Sequence, residues 1–449
     1  MRVATSSSRP VRASVLIIVL WVAFGLVSVT LYFAHSMRFQ LQASENQTAS
    51  IQAALAIDGT IRYVTNLFAT YAEPGAPPDS TLFEAENLLI GEATVWLIGR
   101  DTNVWQQTPT RPYFGLVDES SKLNLNTATS AMLETFPFMT AEFAAAIVDW
   151  RDTDSEASDN GAEDETYVRM NPPYHCKNAD FDSIEELRLV SGATLALLYG
   201  EDTNLNGILD PNENDGDESY PADNQDGRLD PGLLEYVTVA TREPNTNAGG
   251  TNRVDVSNPS QASVTNLLQT RFGQTRGAQL INQLGNQATV RSVLEFGLRA
   301  GMTADELAQF EGDLTVTNAT TVNGLINVNT ANAEVLACVP GVGTDNAKSL
   351  VAARSSASNA ATSLYWIVET LGQDGAIDAA PYLTTRGYQY TVDAAAVGRH
   401  QRGYQRVRYL IDTSGEAPRI AARRDLTHLG WALGRDLRRE LRDQANQTR

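Results

Sequence analysis

Leu123-Asn-Leu-Asn-Thr-Ala-Thr-Ser-Ala-Met-Leu133 returns far downstream as Ile326-Asn-Val-Asn-Thr-Ala-Asn-Ala-Glu-Val-Leu336. The register then holds: Pro137 answers Pro340, Ala144 answers Ala347, Ile147-Val148 answer Leu350-Val351, and Arg151 answers Arg354. A more divergent copy opens at Val254-Asp-Val-Ser-Asn-Pro and runs to Leu267-Leu268. Self-similarity of this kind marks a repeated supersecondary unit. Each copy reads as a short extended segment, a polar cap, a helix, a tight turn and a second helix. Thr127 and Thr330 are the expected caps, because a side-chain oxygen there can take free amide protons.

The last copy carries Val339-Pro-Gly-Val-Gly343, the turn of a helix-hairpin-helix unit. Such glycines expose amides that can receive a phosphate. A nucleic-acid version calls for several Lys or Arg beside the turn. Here only Asp345 and Lys348 flank it, and the matching Phe136-Pro-Phe-Met-Thr140 has no glycine. The turn is expected to serve packing.

Charge agrees with that reading. The 449-residue chain has a formal charge of −20, opposite to the footprint of a general nucleic-acid binder. From Asp152 to Glu235 there are 22 acidic residues against four basic ones, nearly the whole imbalance. The segment from Arg399 to Arg449 is basic, with 12 Arg against six acidic residues. Four histidines (His35, His175, His400, His428) have no paired metal-ligand spacing, and no nucleophile–base pair stands at a recognisable spacing. The chain is therefore expected to be no enzyme.

Within the acidic stretch, Asp202-Thr-Asn204-Leu-Asn206-Gly-Ile208-Leu-Asp210-Pro-Asn-Glu213 fits a twelve-residue calcium loop. Side-chain oxygens fall at positions 1, 3, 5 and 9, the Ile208 carbonyl at 7 and a bidentate-capable Glu213 at 12, with Gly207 at the sharp turn. Structural calcium is the expected cofactor. A second loop offers Asp223, Asn224, Asp226 and Asp230, but has Ala222 first and Leu233 last. Two readings stay open for it, a weaker cation site or a solvated turn.

At the amino terminus Arg2, Arg9 and Arg12 precede an uncharged run from Ala13 to Met37. Its core, Val15 to Phe33, can cross a hydrocarbon layer of roughly 30 Å as a helix. The charge order puts the N-terminus in the cytoplasm and the rest outside it. A cleaved secretory signal ending near Ser36 is the alternative. Apolar residues continue at helical intervals from Leu41 to Tyr71, so one long helix is expected, half in the membrane and half on a soluble domain. Cys176 and Cys338 allow one bridge in an oxidising compartment, or two separate thiols.

Between the first repeat and its acidic loops stand, in order, Trp150-Arg-Asp152, Gly161-Ala-Glu-Asp164, Asn171-Pro-Pro-Tyr174, Lys177-Asn178 and Ser183-Ile-Glu-Glu-Leu-Arg-Leu-Val190. This string resembles the general secretion pathway protein K family, the large minor pseudopilins of type II secretion, and the resemblance runs from the apolar helix to Tyr382-Leu-Thr-Thr-Arg386. It implies an α+β pseudopilin fold, a long N-terminal transmembrane helix on an antiparallel sheet, with a large inserted all-α domain of helix-hairpin-helix (SAM-like) units. The expected divisions are a basic leader at 1–13, a transmembrane helix at 14–34, and the remaining helix with the first strands at 35–122. Helical units follow at 123–235, 236–315 and 316–375, then the last strands at 376–433 and a basic tail at 434–449. Strands are expected at Val95–Ile98, Gly115–Val117, Gly387–Val392, Val407–Asp412 and Arg419–Ala422, and the tail as a surface helix or without order.

The resemblance further implies a non-enzymatic subunit that initiates and caps the pseudopilus tip in the bacterial inner membrane, with its C-terminal domain periplasmic. Its implied partners are other minor pseudopilins, the inner-membrane assembly platform and a prepilin peptidase cutting between Ala13 and Ser14. Where pilins carry a glutamate at the fifth mature position, this chain has Ile18. The competing reading from another class is a membrane-anchored DNA receptor using the helix-hairpin-helix turns. Its expected basic surround is absent from the sequence.

Overall fold

The structure, a computed structural model, describes residues 12–102, 111–136, 138–259, 261–284 and 289–447. The expected leader lies outside this range except for its last two residues, and the Ala13 and Ser14 side chains at the expected cut lie outside the described part as well.

Helix α1 spans Arg12–Tyr71, 60 residues, or about 90 Å at 1.5 Å per residue. Its first half is exposed and is long and apolar enough to cross a membrane. Burial starts at Ala49 and recurs at Ala53, Ala56, Ile57, Thr60, Ile61, Val64 and Phe68, the three-and-four spacing of a single helical stripe.

That stripe lies on an antiparallel sheet made of β1 (Leu88–Ile90), β2 (Ala93–Ile98), β3 (Val117–Asp118) and the strands Gln389–Gly398, Arg402–Asp412 and Arg419–Asp425. The order is β1, β2, Gln389–Gly398, Arg402–Asp412, Arg419–Asp425, with β3 also paired to Gln389–Gly398. Trp96 sits opposite Ala395, and Val392 opposite Tyr409. The strand Gln389–Gly398 is buried at all ten positions. Tyr390, Val392, Ala394 and Ala396 pack with Ile57, Ile61 and Phe68 of α1. Ala395 and Val397, with Trp96 and Ile98, form the core of the opposite face.

That opposite face corrects the reading of the tail. Gly434–Gln447 is a helix, and its Leu437 and Leu441 are buried against Trp96, Ile98 and Val397. Its arginines alternate with leucines at helical spacing, so one stripe goes inward while the charge stays in water. The expected strands are present but shifted. Val95–Ile98 begins at Ala93, Gly115–Val117 lies at Val117–Asp118, and Gly387–Val392 runs as Gln389–Gly398. Val407–Asp412 begins at Arg402, and Arg419–Ala422 continues to Asp425. The alanine run 394–396 conceals the central strand, because alanine is a poor strand former except where both faces are closely covered.

Between β3 and Gln389–Gly398 lies a head of short helices sharing one apolar core from Leu123 to Leu383. It is not all-α as expected. Each repeat opens with a two-residue strand that pairs in parallel with the segment closing its unit. Leu123–Asn124 takes Val237–Thr238, Val254–Asp255 takes Leu314–Thr315, and Ile326–Asn327 takes Leu383–Thr384. Extended backbone in a packed core needs partners for its amides, and the closing segment supplies them. The units therefore end at Thr238, Thr315 and Thr384. The third reaches past the expected boundary at 375.

The repeat is visible in its bonds. Arg151 donates to the Leu125 and Ala128 carbonyls, and Arg354 donates to those of Val328 and Ala331. The helix caps fall two residues later than expected, at Thr129 and Asn332. Thr330 is diverted by donating to Asp118 Oδ2 at 2.8 Å. At the helix-hairpin-helix turn, Gly341 has φ +82° and a Cβ there would meet the Gly375 carbonyl at 2.7 Å. The helix Ile367–Ala379 thus presses on the turn. Cys176 and Cys338 are both free, so the bridge that the sequence allows is not formed. Their thiols point to different carbonyls, Asp149 at 3.7 Å and Glu334 at 3.3 Å, and burial pushes both pKa values up to about 12.

Candidate metal centre

The first acidic loop is entered from the helix Leu195–Tyr199, which ends at Gly200. Residues 183–199 before the loop form a 3-10 turn (Ile184–Leu189) and this short helix, parted at Gly192 with φ +87°. After the loop comes one 3-10 turn, Pro211–Glu213.

Asp202, Asn204, Asn206, Ile208 and Glu213 are all buried, and Asp210 is partly so. Asp202 accepts from the Asn206 and Gly207 amides, each at 2.9 Å. Asn206 Oδ1 accepts from Ile208 N at 2.9 Å. Glu213 closes the circle: Oε1 takes Thr203 N at 3.1 Å and Oε2 takes Asp210 N at 3.0 Å. Asp210 Oδ2 accepts the side-chain amides of Asn204 and Asn206. Asn204 Oδ1 is buried with no donor. All the expected ligands thus come together in one ring.

This ring is short of positive charge. Burial, then repulsion from Asp202 and Asp210, pushes Glu213 up to about 8. Burial likewise raises Asp202, against the pull of Arg100, and Asp210. Each carboxylate keeps lone pairs beyond its amide bonds. The donor set is oxygen only, as hard divalent cations require.

The arginines nearby face the loop's outer side. Arg406, fully buried, donates to the Asn204 and Leu205 carbonyls at 2.5 and 2.7 Å and forks onto Asp393 at 2.9 and 2.7 Å. Arg408 adds 2.7 Å to Asp393. Arg100 spans the Leu205 carbonyl at 3.0 Å and Glu235 at 2.6 Å. Burial alone would raise Asp393, but Arg406 and Arg408 overrule it and hold its pKa well down. The loop is thereby fastened to the centre of the sheet. Sequence reading missed this cluster, since its members are remote along the chain and only the alternation of Arg406 and Arg408 on one strand face hints at it.

The second loop repeats the pattern with a substitute. Asn224 Nδ2 donates to Asp230 Oδ2 at 3.0 Å, as Asn204 does to Asp210. In place of the missing position-12 glutamate, Glu201 accepts Asn224 N at 3.4 Å and Asp230 N at 3.0 Å. Glu201 is buried and its pKa is raised, burial being the chief cause. Asp226 accepts Arg228 N at 2.8 Å. Asp223 turns to the amides of Asp215, Gly216 and Gln225. Glu201 lies upstream of the loop, outside any window that a linear motif searches.

Residues 119–199, which lead into this centre, match the family model of the type II secretion system protein K. Type II secretion system protein K of Klebsiella pneumoniae is 39% identical over 61 residues, 14% of this chain and 19% of that protein's length. The chain thus matches about a fifth of that relative. The crystal structure of the GspK-GspI-GspJ complex from the enterotoxigenic Escherichia coli type 2 secretion system aligns over 86% of this chain and 99% of that one, at TM-score 0.41 and 10% identity. Residues 119–199 thus resemble a type II secretion system protein K domain. Together with the apolar half of α1, this marks a membrane-anchored protein.

Proposed function

We propose that this chain is a minor pseudopilin of type II secretion, held in the inner membrane by the first half of α1 with the head and sheet in the periplasm. The protein K domain at 119–199, set in a head much larger than the sheet that carries it, is the observation that supports the reading most. A broad head leaves no room for another subunit stacked above, so the chain starts and caps the pseudopilus and performs no catalysis. Its partners are the other minor pseudopilins, the assembly platform, and a prepilin peptidase that cuts between Ala13 and Ser14. The head consists of helix-hairpin-helix (SAM-like) units used for packing.

Calcium is the proposed cofactor. Asp202, Asn204, Asn206, the Ile208 carbonyl, Asp210 and Glu213 hold one ion. Asn224, Asp226, Asp230 and the added Glu201 hold another, with Asp223 shaping the turn. An ion in the first loop stiffens the junction between head and sheet.

The test is deletion of the gene in its host with complementation by the full chain. Loss of extracellular secretion, restored by the chain and accompanied by co-purification of other pseudopilins from crosslinked membranes, is expected. Normal secretion in the deletion strain would falsify the assignment.

A further inference from the structure

The sheet ends on two edges, the three-residue strand Leu88–Ile90 and the seven-residue strand Arg419–Asp425. The longer edge is bare. Six of its seven residues are exposed, and Arg424 is half-buried. It pairs with Arg402–Asp412 on one side. Among the described residues, no backbone bond is made on its other side.

Such an edge presents free N–H and C=O groups that can template another strand, and charged side chains commonly shield it. Here the arginines are drawn away from the edge. Arg419 donates to Asp412 Oδ2 from Nε and Nη2 at 3.0 and 2.8 Å. Arg424 donates to Glu185 and, at 2.8 Å, to Ser183 Oγ of the head. Arg423 lies 5.9 Å from the centre of the Tyr409 ring.

Between these arginines remains Ile420-Ala421-Ala422, with Ile420 49% exposed. Ala421 is the extra residue of a bulge, since Leu410 pairs with Ala422 and Ile411 with Ile420. A bulge leaves its extra residue without a ladder partner. Two alanines in succession let another backbone come close.

Charge decides which strand fits. The strand carries three arginines and one aspartate. The carboxylates beside it are already shared: Asp412 Oδ2 holds Arg242 as well as Arg419, and Asp393 holds both Arg406 and Arg408. The edge is therefore left net positive. A second copy pairing antiparallel about Ala421-Ala422 would set arginine opposite arginine, and like charges directly opposite are destabilising. An acidic strand gains where a copy of this one loses.

We propose that Arg419–Asp425 is a docking edge, on which an extended acidic segment of another protein pairs main chain to main chain. Backbone bonds supply the affinity, and carboxylates set against Arg419 and Arg423 supply the selectivity. The segment has a small or apolar centre beside Ile420-Ala421-Ala422 and acidic flanks.

The experiment uses the full-length chain in detergent and a short labelled peptide in which glutamate alternates with valine. Binding is read by fluorescence anisotropy, and amide exchange locates it. Saturable binding that weakens with added salt, with exchange slowed across Arg419–Asp425, is expected. The same peptide with lysine for glutamate, and a glutamate peptide interrupted by proline, should each bind at least about tenfold more weakly. Arg423 is exposed, so its variants fold: Arg423→Glu should weaken the glutamate peptide about tenfold, and Arg423→Lys should keep most of the binding. Equal binding of the proline-interrupted peptide would mean charge attraction without strand pairing, and overturns the proposal. So does protection that falls elsewhere on the chain, or no binding at all. A dimer of the chain that the peptide dissolves would make a second copy the occupant and overturns it as well. Secretion plays no part in these readings, so their failure leaves the pseudopilin assignment untouched.

Discussion

Glu213 carries the chemistry of the first loop. Its folded pKa is about 8 against an ordinary value near 4.5, so between those values the folded state binds more protons than the unfolded one. Stability in chelator therefore falls as pH rises from about 5 to 8. Glu213→Gln should flatten that fall, which melting curves across the range will show. Saturating calcium should reverse the penalty, adding about 2.7 kcal/mol at a hundredfold excess over its dissociation constant. An equal pH slope in parent and variant would rule out Glu213 as the source. Arg406 makes the opposite case. It is fully buried, and its loss strands Asp393 without its principal partner. Arg406→Met should destabilise by about 3–5 kcal/mol, read from denaturant unfolding, and Asp393→Asn in the same background should recover part of the loss.

At the scale of elements, the C-terminal helix and the hairpin turn are decisive. Leu437 and Leu441 cover Trp96 and Ile98, so the tail is a lid on the second face of the sheet. Leu437→Ala should cost about 2–4 kcal/mol, as core leucine truncations do, whereas Leu437→Met should cost less than about 1.5. A freely exposed tail predicts no change for either, and urea midpoints separate the two cases. Gly341 answers to backbone geometry. Gly341→Ala meets both a positive φ and the Gly375 carbonyl, and should lower the melting temperature. Gly343→Ala has open space around its Cβ but the same sign of φ, so it should be milder.

Across the whole molecule, the first loop joins two bodies of structure. Its carbonyls at Asn204 and Leu205 bond to arginines of the sheet, while its carboxylates belong to the head. Calcium binding should then slow amide exchange at Gln389–Gly398 and Arg402–Asp412 as well as in the loop. Exchange slowed in the loop alone would mean that the ion does not couple the two. Arg406→Met should uncouple them, leaving ion binding largely intact but removing protection in the strands.

Three features were legible in the sequence because they rest on local spacing. The repeat beginning at Leu123 and Ile326 shows in residue identity, the apolar half of α1 in composition, and the 202–213 ring in oxygen donors set at fixed intervals along one short stretch. Tertiary structure alone decided the rest, since each remaining feature depends on partners far away in the chain. Glu201 takes the place of a missing ligand only because the fold lays it against Asn224 and Asp230. Thr384 ends a unit because its strand meets Ile326–Asn327, and two-residue strands have no period to read. The alanine-rich strand Gln389–Gly398 is central because α1 covers one face and the C-terminal helix the other. Asp152, Asp154 and Glu163 come together only because the 152–163 turn folds back on itself. Periodicity reports which face of an element goes inward. It cannot report what that face will meet.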